Sequence, residues 1–150
     1  MTMIMVTLSI ILFWCFLFYA DHKGGTPYCL SETYYTLNNK GWMFQALMIV
    51  MCLLLFHPIL SCTSAQYRWI GIILLISSVS ITFVPDFKRE SQHDVHFALS
   101  IISMIAICVL WVLKGQWYMP IIINFCALRK NWLLGIEVGF FTLVWLYCLL

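Results

Sequence analysis

The densest group of side chains able to do chemistry lies in the loop before the fourth apolar stretch of this chain. It contains three carboxylates and two imidazoles: Asp86, Glu90, His93, Asp94 and His96. In a helix that begins near His93, the side chains of His93, His96, Ser100 and Ser103 share one face. Two imidazoles one turn apart can bind a metal ion such as zinc, with Asp94 as a third ligand or as the group that orients an imidazole. The same pattern also fits a solvated helix N-terminus, where Asp94 lies near the positive end of the helix dipole.

A second polar group lies in the first loop, where hydroxyls and aromatic rings occur together. Its members include Ser31, Glu32, Tyr34 and Tyr35. Such residues usually form the interfacial belt of a membrane protein, in which a ring lies among the headgroups while its hydroxyl stays hydrated. The functional alternative is a surface that binds a lipid headgroup, with Glu32 and Tyr34 among its contacts.

If the protein is an enzyme, which the sequence alone leaves open, the two groups together have the side chains that a hydrolase needs. The candidate catalytic residues are His93, His96, Asp86, Asp94, Ser31 and Tyr35. The histidines would act as metal ligands or bases, an aspartate would activate water, and a serine or tyrosine hydroxyl would stabilise the developing oxyanion.

Two further ionisable residues, His57 and Glu137, lie within apolar stretches, where an unpaired charge is costly. If the chain crosses a membrane five times, both lie near the inner face at similar depth, which predicts a hydrogen-bonded pair. One alternative is that His57 bonds a backbone carbonyl freed by the kink at Pro58, with Glu137 protonated. Another is that His57 and Glu137 move protons or ions.

These polar residues lie within or next to long apolar stretches, which are predicted to be helices. The chain is 63% hydrophobic and 9% charged, so a soluble fold of 150 residues would lack the polar surface to cover its core. The predicted fold is a single all-α domain, a polytopic transmembrane helix bundle. Its predicted spans are residues 1–20, 42–62, 69–84, 96–113 and 132–150.

The number of crossings depends on residues 116–128, an apolar segment only about 20 Å long as a helix. This length favours an interfacial or re-entrant element and therefore five crossings, with six as the alternative. Five crossings place every loop carboxylate on one face, which is predicted to be the outer face. Six crossings would move Glu137 toward that face, beside His96. The first apolar stretch is predicted to be a retained helix, because no Lys or Arg precedes it and Phe18 is too large for a signal-peptide cleavage site after Ala20.

Cysteine placement and charge exclude two other classes of protein. Four of the seven cysteines fall within predicted spans and only Cys29 lies in the outer loop, so no disulfide framework is predicted. A net charge of +2, without a phosphate loop or a concentrated basic patch, argues against nucleic-acid binding.

Several scattered positions follow a common pattern. They are the run Ser31-Glu32-Thr33-Tyr34-Tyr35-Thr36, then Phe44 and Leu47, then Phe83-Val84-Pro85-Asp86, and then His96 and Ala98. This pattern resembles an uncharacterised group of small bacterial multi-pass proteins, distantly similar to six-span eukaryotic proteins of GPI-anchor lipid remodelling and autophagy modulation. The resemblance implies a plasma (inner) membrane protein with lipid as its ligand class. It also implies an outer-face site formed by Ser31, Glu32, Tyr35, Asp86 and His96.

Three functions follow from these patterns. The first is a multi-pass membrane protein that binds or remodels lipid at the outer-face group. The second is a non-catalytic subunit or assembly factor of a membrane complex, or a homo-oligomer, whose polar residues serve helix packing. The third is proton or ion handling through His57 and Glu137. Each of the three places the chain in a lipid bilayer.

Overall fold

The computed structural model describes residues 1–37, 40–84, 90–127 and 132–150, and within these ranges the chain is helical with no β-strand. The described α-helices are α1 (Thr2–Gly24), α2 (Thr33–Thr36), α3 (Trp42–Cys62), α4 (Arg68–Ser80), α5 (Glu90–Leu113), α6 (Tyr118–Ala127) and α7 (Trp132–Leu149). Short 3₁₀ turns precede α2 and α4, and another follows α4. The predicted all-α bundle is confirmed.

Four of the described helical segments are long and apolar enough to cross a membrane. They are Thr2–Gly24, Trp42–Cys62, Ala65–Phe83 and Gln92–Leu113. A further apolar segment, Leu133–Leu149, is shorter. These lengths and compositions are compatible with an integral membrane protein, because each segment approaches or exceeds the roughly 20 apolar residues that a crossing needs.

Glycine ends two of the long helices. Gly25 follows α1 with φ +79° and Gly115 follows α5 with φ +80°. A residue with a side chain is strained at such φ values, whereas glycine adopts them freely and stops the helix. The chain can therefore turn back sharply after each of these helices.

The direction of α7 differs from the direction that five crossings require. Near its start, the Leu134 N–H donates to the Tyr28 carbonyl in the first loop, 3.1 Å away. At its other end, the Cys62 thiol at the end of α3 donates to the Cys148 carbonyl at 3.4 Å. Helix α7 therefore runs parallel to α3, whereas a fifth crossing would run antiparallel to it.

The element before α7 is short. Helix α6 has 10 residues, about 15 Å, and packs against α7. Helix α7 begins beside the first loop, so Glu137 lies near that loop rather than at the opposite end of the bundle, where the five-crossing arrangement placed it.

Aromatic side chains fill the centre of the bundle. Phe13 of α1 packs against Phe141 and Trp145 of α7, with ring centroids 4.8 and 5.2 Å apart. Trp111 of α5 is fully buried, and its indole N–H donates to the Leu143 carbonyl at 3.1 Å. Because these rings join α1 and α5 to α7, they fix the helix whose first turns carry Glu137.

The first loop is held tightly against α3. A Cβ on Gly41 would lie 2.5 Å from the Tyr34 carbonyl oxygen, closer than real Cβ contacts occur. Only glycine therefore lets the loop approach α3 this closely. The close approach helps to hold the turn that carries Ser31 against the N-terminal ends of α5 and α7.

Candidate functional site

Local hydrogen bonds shape the turn that carries Ser31. The Thr33 hydroxyl donates to the Leu30 carbonyl at 2.7 Å, and the Tyr28 N–H donates to the Glu32 carboxylate at 2.6 Å. Ser31 itself is only 4% exposed. The loop thus presents the Ser31 side chain to the interior of the bundle rather than to solvent.

Ser31 meets two ionisable side chains there, and we call Ser31, His96 and Glu137 the Ser31 cluster. The Ser31 Oγ lies 3.1 Å from His96 Nε2 and 3.5 Å from Glu137 Oε1. The three residues come from the first loop, α5 and α7, so only the folded bundle brings them together. The structure thereby joins Ser31 and His96, as expected for the two polar groups, and adds Glu137.

The backbone sets the tautomer of His96. Its Nδ1 lies 2.9 Å from the Val84 carbonyl oxygen. Because a carbonyl can only accept a hydrogen bond, the neutral imidazole carries its proton on Nδ1 and presents the lone pair of Nε2 to Ser31. Ser31 then donates its hydroxyl proton to His96.

Glu137 has its own partners in the first loop. Its second carboxylate oxygen accepts a hydrogen bond from the Leu30 N–H, while the first lies near the Ser31 hydroxyl. The predicted His57–Glu137 pair is therefore wrong. His57 is exposed on the outside of α3 instead, where it faces away from the bundle.

A cavity of about 520 Å³ adjoins the Ser31 cluster. One wall is α5 and the other is α7, with residues of α3 and α4 between them. Its mainly apolar lining includes Phe44, Met48, Ile101, Met104, Phe140 and Phe141. His96 and Glu137 lie within the first two turns of their helices. Their polar groups are therefore near one end of the cavity, and the apolar lining continues beyond them.

The helical face predicted for α5 does line this cavity. His93, His96, Ser100 and Ser103 are all lining residues. Ser103 also contacts α4: its Oγ forms a hydrogen bond with Ser77 Oγ at 2.7 Å and accepts one from Ser78 Oγ at 3.3 Å. Small hydroxyls thus join α4 to α5 behind the cavity, as expected for close helix packing.

The remaining predicted site residues are not brought into the Ser31 cluster. The side chain of Asp94 is 98% exposed, and its carboxylate lies 3.2 Å from His93 Nδ1 in a pair at the surface. Within the described part of the chain, no three His, Cys, Asp or Glu side chains are grouped to hold a metal ion. The zinc site of His93, His96 and Asp94 is therefore not assembled, and Asp86 lies outside the described residues.

The other first-loop candidates serve the loop itself. Tyr34 and Tyr35 pack edge to face with ring centroids 5.3 Å apart, and neither lines the cavity. Glu32 accepts the Tyr28 N–H within the loop. These contacts fit an interfacial loop whose rings and carboxylate maintain its shape.

Two features of the site were not predicted from the sequence: the apolar lining of the cavity, and the hydrogen bond from the Leu30 N–H to Glu137. Phe140 and Phe141 are two of many aromatic residues in apolar helices, and nothing local distinguishes a lining ring from a buried one. For Glu137 a signal existed, because the alternative of six crossings placed it near the first-loop face, beside His96. Recognising this placement required the position of α7, which depends on tertiary contacts.

Cys29 also lines the cavity, but its thiol is a poor nucleophile. Burial, and secondly the nearby Glu137 carboxylate, raise the pKa of Cys29 to about 12. The reactive species is the thiolate, which such a pKa makes scarce at neutral pH. Cys29 is a free thiol, as are Cys15, Cys52, Cys62, Cys108 and Cys148.

We expect iodoacetamide to alkylate Cys29 very slowly in the folded protein at pH 8. Relative to the ordinary pKa of 9.0, a pKa of about 12 lowers the thiolate population about a thousandfold, and labelling should rise only as the pH approaches that value. Peptide mass spectrometry measures the rate, with protein unfolded in SDS as the control. Equal rates in folded and unfolded protein at pH 8 would contradict the buried placement of this thiol.

Neither a protein-family model, nor a curated protein, nor a solved structure matches this chain. The features of this chain that indicate a function are therefore the geometry of the Ser31 cluster and its cavity.

Proposed function

We propose that this protein binds a lipid in the cavity between α5 and α7, as a component of the plasma (inner) membrane. The lipid's polar group contacts the Ser31 cluster, and an acyl chain extends along the apolar lining. The observation that carries this proposal is an apolar cavity of about 520 Å³ with hydrogen-bonding side chains near one end. Its volume falls within the roughly 300–1,000 Å³ typical of small-molecule sites.

The chemistry of the lining favours an amphiphile over a wholly polar or wholly apolar ligand. A polar ligand would leave its groups unpaired against Phe140 and Met104, which costs free energy. A pure hydrocarbon would cover His96 and Glu137 without offering them a hydrogen-bonding group. A molecule with an ester or hydroxyl at one end of an acyl chain satisfies both parts of the cavity.

The surface of α5 supplies a route to the cavity from the bilayer. Phe97 and Ile101 line the cavity and are also 59% and 42% exposed. In a membrane, exposed apolar side chains of this kind contact acyl chains. A lipid chain can therefore reach the cavity past these side chains without leaving an apolar environment.

A photoactivatable phospholipid with a diazirine in its acyl chain tests the proposal. We expect cross-links on cavity residues, and we expect Ile101→Trp to reduce them about tenfold, the equivalent of about 1.4 kcal/mol, because the larger ring occupies the cavity. Ile102→Trp is the matched control, since Ile102 is 43% exposed and does not line the cavity. Equal cross-linking in the two variants, or cross-links confined to outward-facing residues, would refute lipid binding at this site.

A further inference from the structure

We propose that Ser31 is a nucleophile and His96 its general base, and that this pair cleaves a carboxylic ester of the lipid in the cavity. The inference rests on the proposed lipid binding and goes beyond it, because a binding site needs no activated hydroxyl. It assigns a covalent acyl intermediate on Ser31.

The distances between Ser31 and His96 fit a nucleophile and its base. The Oγ–Nε2 distance of 3.1 Å lies within the range of about 2.6–3.2 Å that proton transfer requires. A base of this kind is usually oriented by a third group. Here the Val84 carbonyl orients His96 by accepting a hydrogen bond from its Nδ1 at 2.9 Å. The imidazole is thereby held with its acceptor nitrogen toward the hydroxyl before any substrate binds.

Among the described hydroxyls that line the cavity, only that of Ser31 contacts an imidazole. The Ser100 and Ser103 hydroxyls donate to the His96 and Leu99 carbonyls, and the Ser78 hydroxyl donates to Ser103. None of these acceptors can serve as a base. The neighbouring Cys29 thiol stays protonated at neutral pH. Ser31 is therefore the activated nucleophile of the cavity.

Glu137 acts as a positioning residue. It accepts the N–H of Leu30, the residue before the nucleophile, and so fixes the turn that carries Ser31 against α7. Because Ser31 is 4% exposed, the hydroxyl can react only with a molecule already in the cavity. This arrangement limits the chemistry to lipids that fit the apolar lining.

The reaction proceeds in two steps, acylation of Ser31 and hydrolysis of the resulting acyl ester. Ser31 Oγ attacks the ester carbonyl carbon as its proton passes to His96 Nε2. The carbonyl then re-forms, the bond to the alcohol oxygen breaks, and His96 returns the proton to that oxygen, which leaves an acyl ester on Ser31. In the second step water attacks the acyl carbon as one of its protons passes to His96. The bond between Ser31 Oγ and the acyl carbon then breaks, His96 returns the proton to Ser31 Oγ, and a carboxylic acid is released.

An alkyl fluorophosphonate tests the nucleophile in the detergent-purified full chain. We expect a Ser31 Oγ–phosphorus bond with loss of fluoride, located by peptide mass spectrometry. Ser31→Ala should abolish this adduct, and His96→Gln should slow its formation about 100-fold or more, since a general base typically contributes that much. Ser61→Ala is the matched control, because the Ser61 hydroxyl is exposed, donates to the Pro58 carbonyl and does not line the cavity, so this variant should label at the wild-type rate.

Parallel cross-linking with the diazirine phospholipid separates this inference from lipid binding. Cavity cross-links without a Ser31 adduct would overturn the nucleophile and leave the binding proposal standing. An adduct that forms equally fast in His96→Gln would overturn the general base. Loss of both adduct and cross-links in the wild-type protein would refute lipid binding and, with it, the ester cleavage.

Discussion

Replacing Glu137 with leucine is expected to lower the free energy of unfolding by about 1–3 kcal/mol. The substitution leaves the Leu30 N–H without its acceptor and removes the carboxylate near Ser31 Oγ. Both groups lie inside the bundle, where water replaces a lost partner poorly. The Ser31 turn should also separate from α7, so fluorophosphonate labelling of Ser31 should fall together with stability.

Glu137→Gln is the matched variant. Its amide oxygen can still accept the Leu30 N–H, and its NH₂ group can donate to Ser31 Oγ, so most of the stability should be retained. Thermal unfolding in detergent compares the two variants. Equal melting temperatures for the leucine and glutamine proteins would show that the carboxylate does not hold the loop.

Trp111→Ala is expected to have the largest effect on stability, about 3–5 kcal/mol. Trp111 is fully buried, packs edge to face against Tyr147 with ring centroids 5.7 Å apart, and donates to the Leu143 carbonyl. Alanine leaves a large void between α5 and α7 and removes the hydrogen bond to the Leu143 carbonyl. Phenylalanine keeps an aromatic ring but loses the hydrogen bond and part of the ring volume, so Trp111→Phe should cost less than Trp111→Ala, with about 0.5–1.5 kcal/mol of its cost from the lost bond.

Trp117 provides the control for this experiment, because it is 62% exposed. Trp117→Ala should leave the unfolding temperature nearly unchanged, since its ring faces the surroundings rather than the core. If alanine at position 111 were no more destabilising than alanine at position 117, the junction of α5 and α7 would not be the packed centre of the bundle.

The patterns in the sequence that depend on local geometry were interpreted correctly. Apolar stretches became the long helices, because a helix satisfies its own backbone hydrogen bonds whatever its neighbours are. The face shared by His93, His96, Ser100 and Ser103 follows from the helical repeat alone, and all four residues line the cavity. The spacing alone was therefore enough to place His96 on the cavity-lining face of α5.

The tertiary structure decided which partners the ionisable groups have. The position of Glu137 in an apolar helix predicts that it needs a hydrogen-bonding partner, but five crossings placed it beside His57 and six placed it beside His96. The choice depended on the direction of α7, which is fixed by contacts such as the hydrogen bond from Trp111 to the Leu143 carbonyl. Contacts between residues far apart in sequence leave no periodic signal, so the cluster of Ser31, His96 and Glu137 became visible only when the helices were packed.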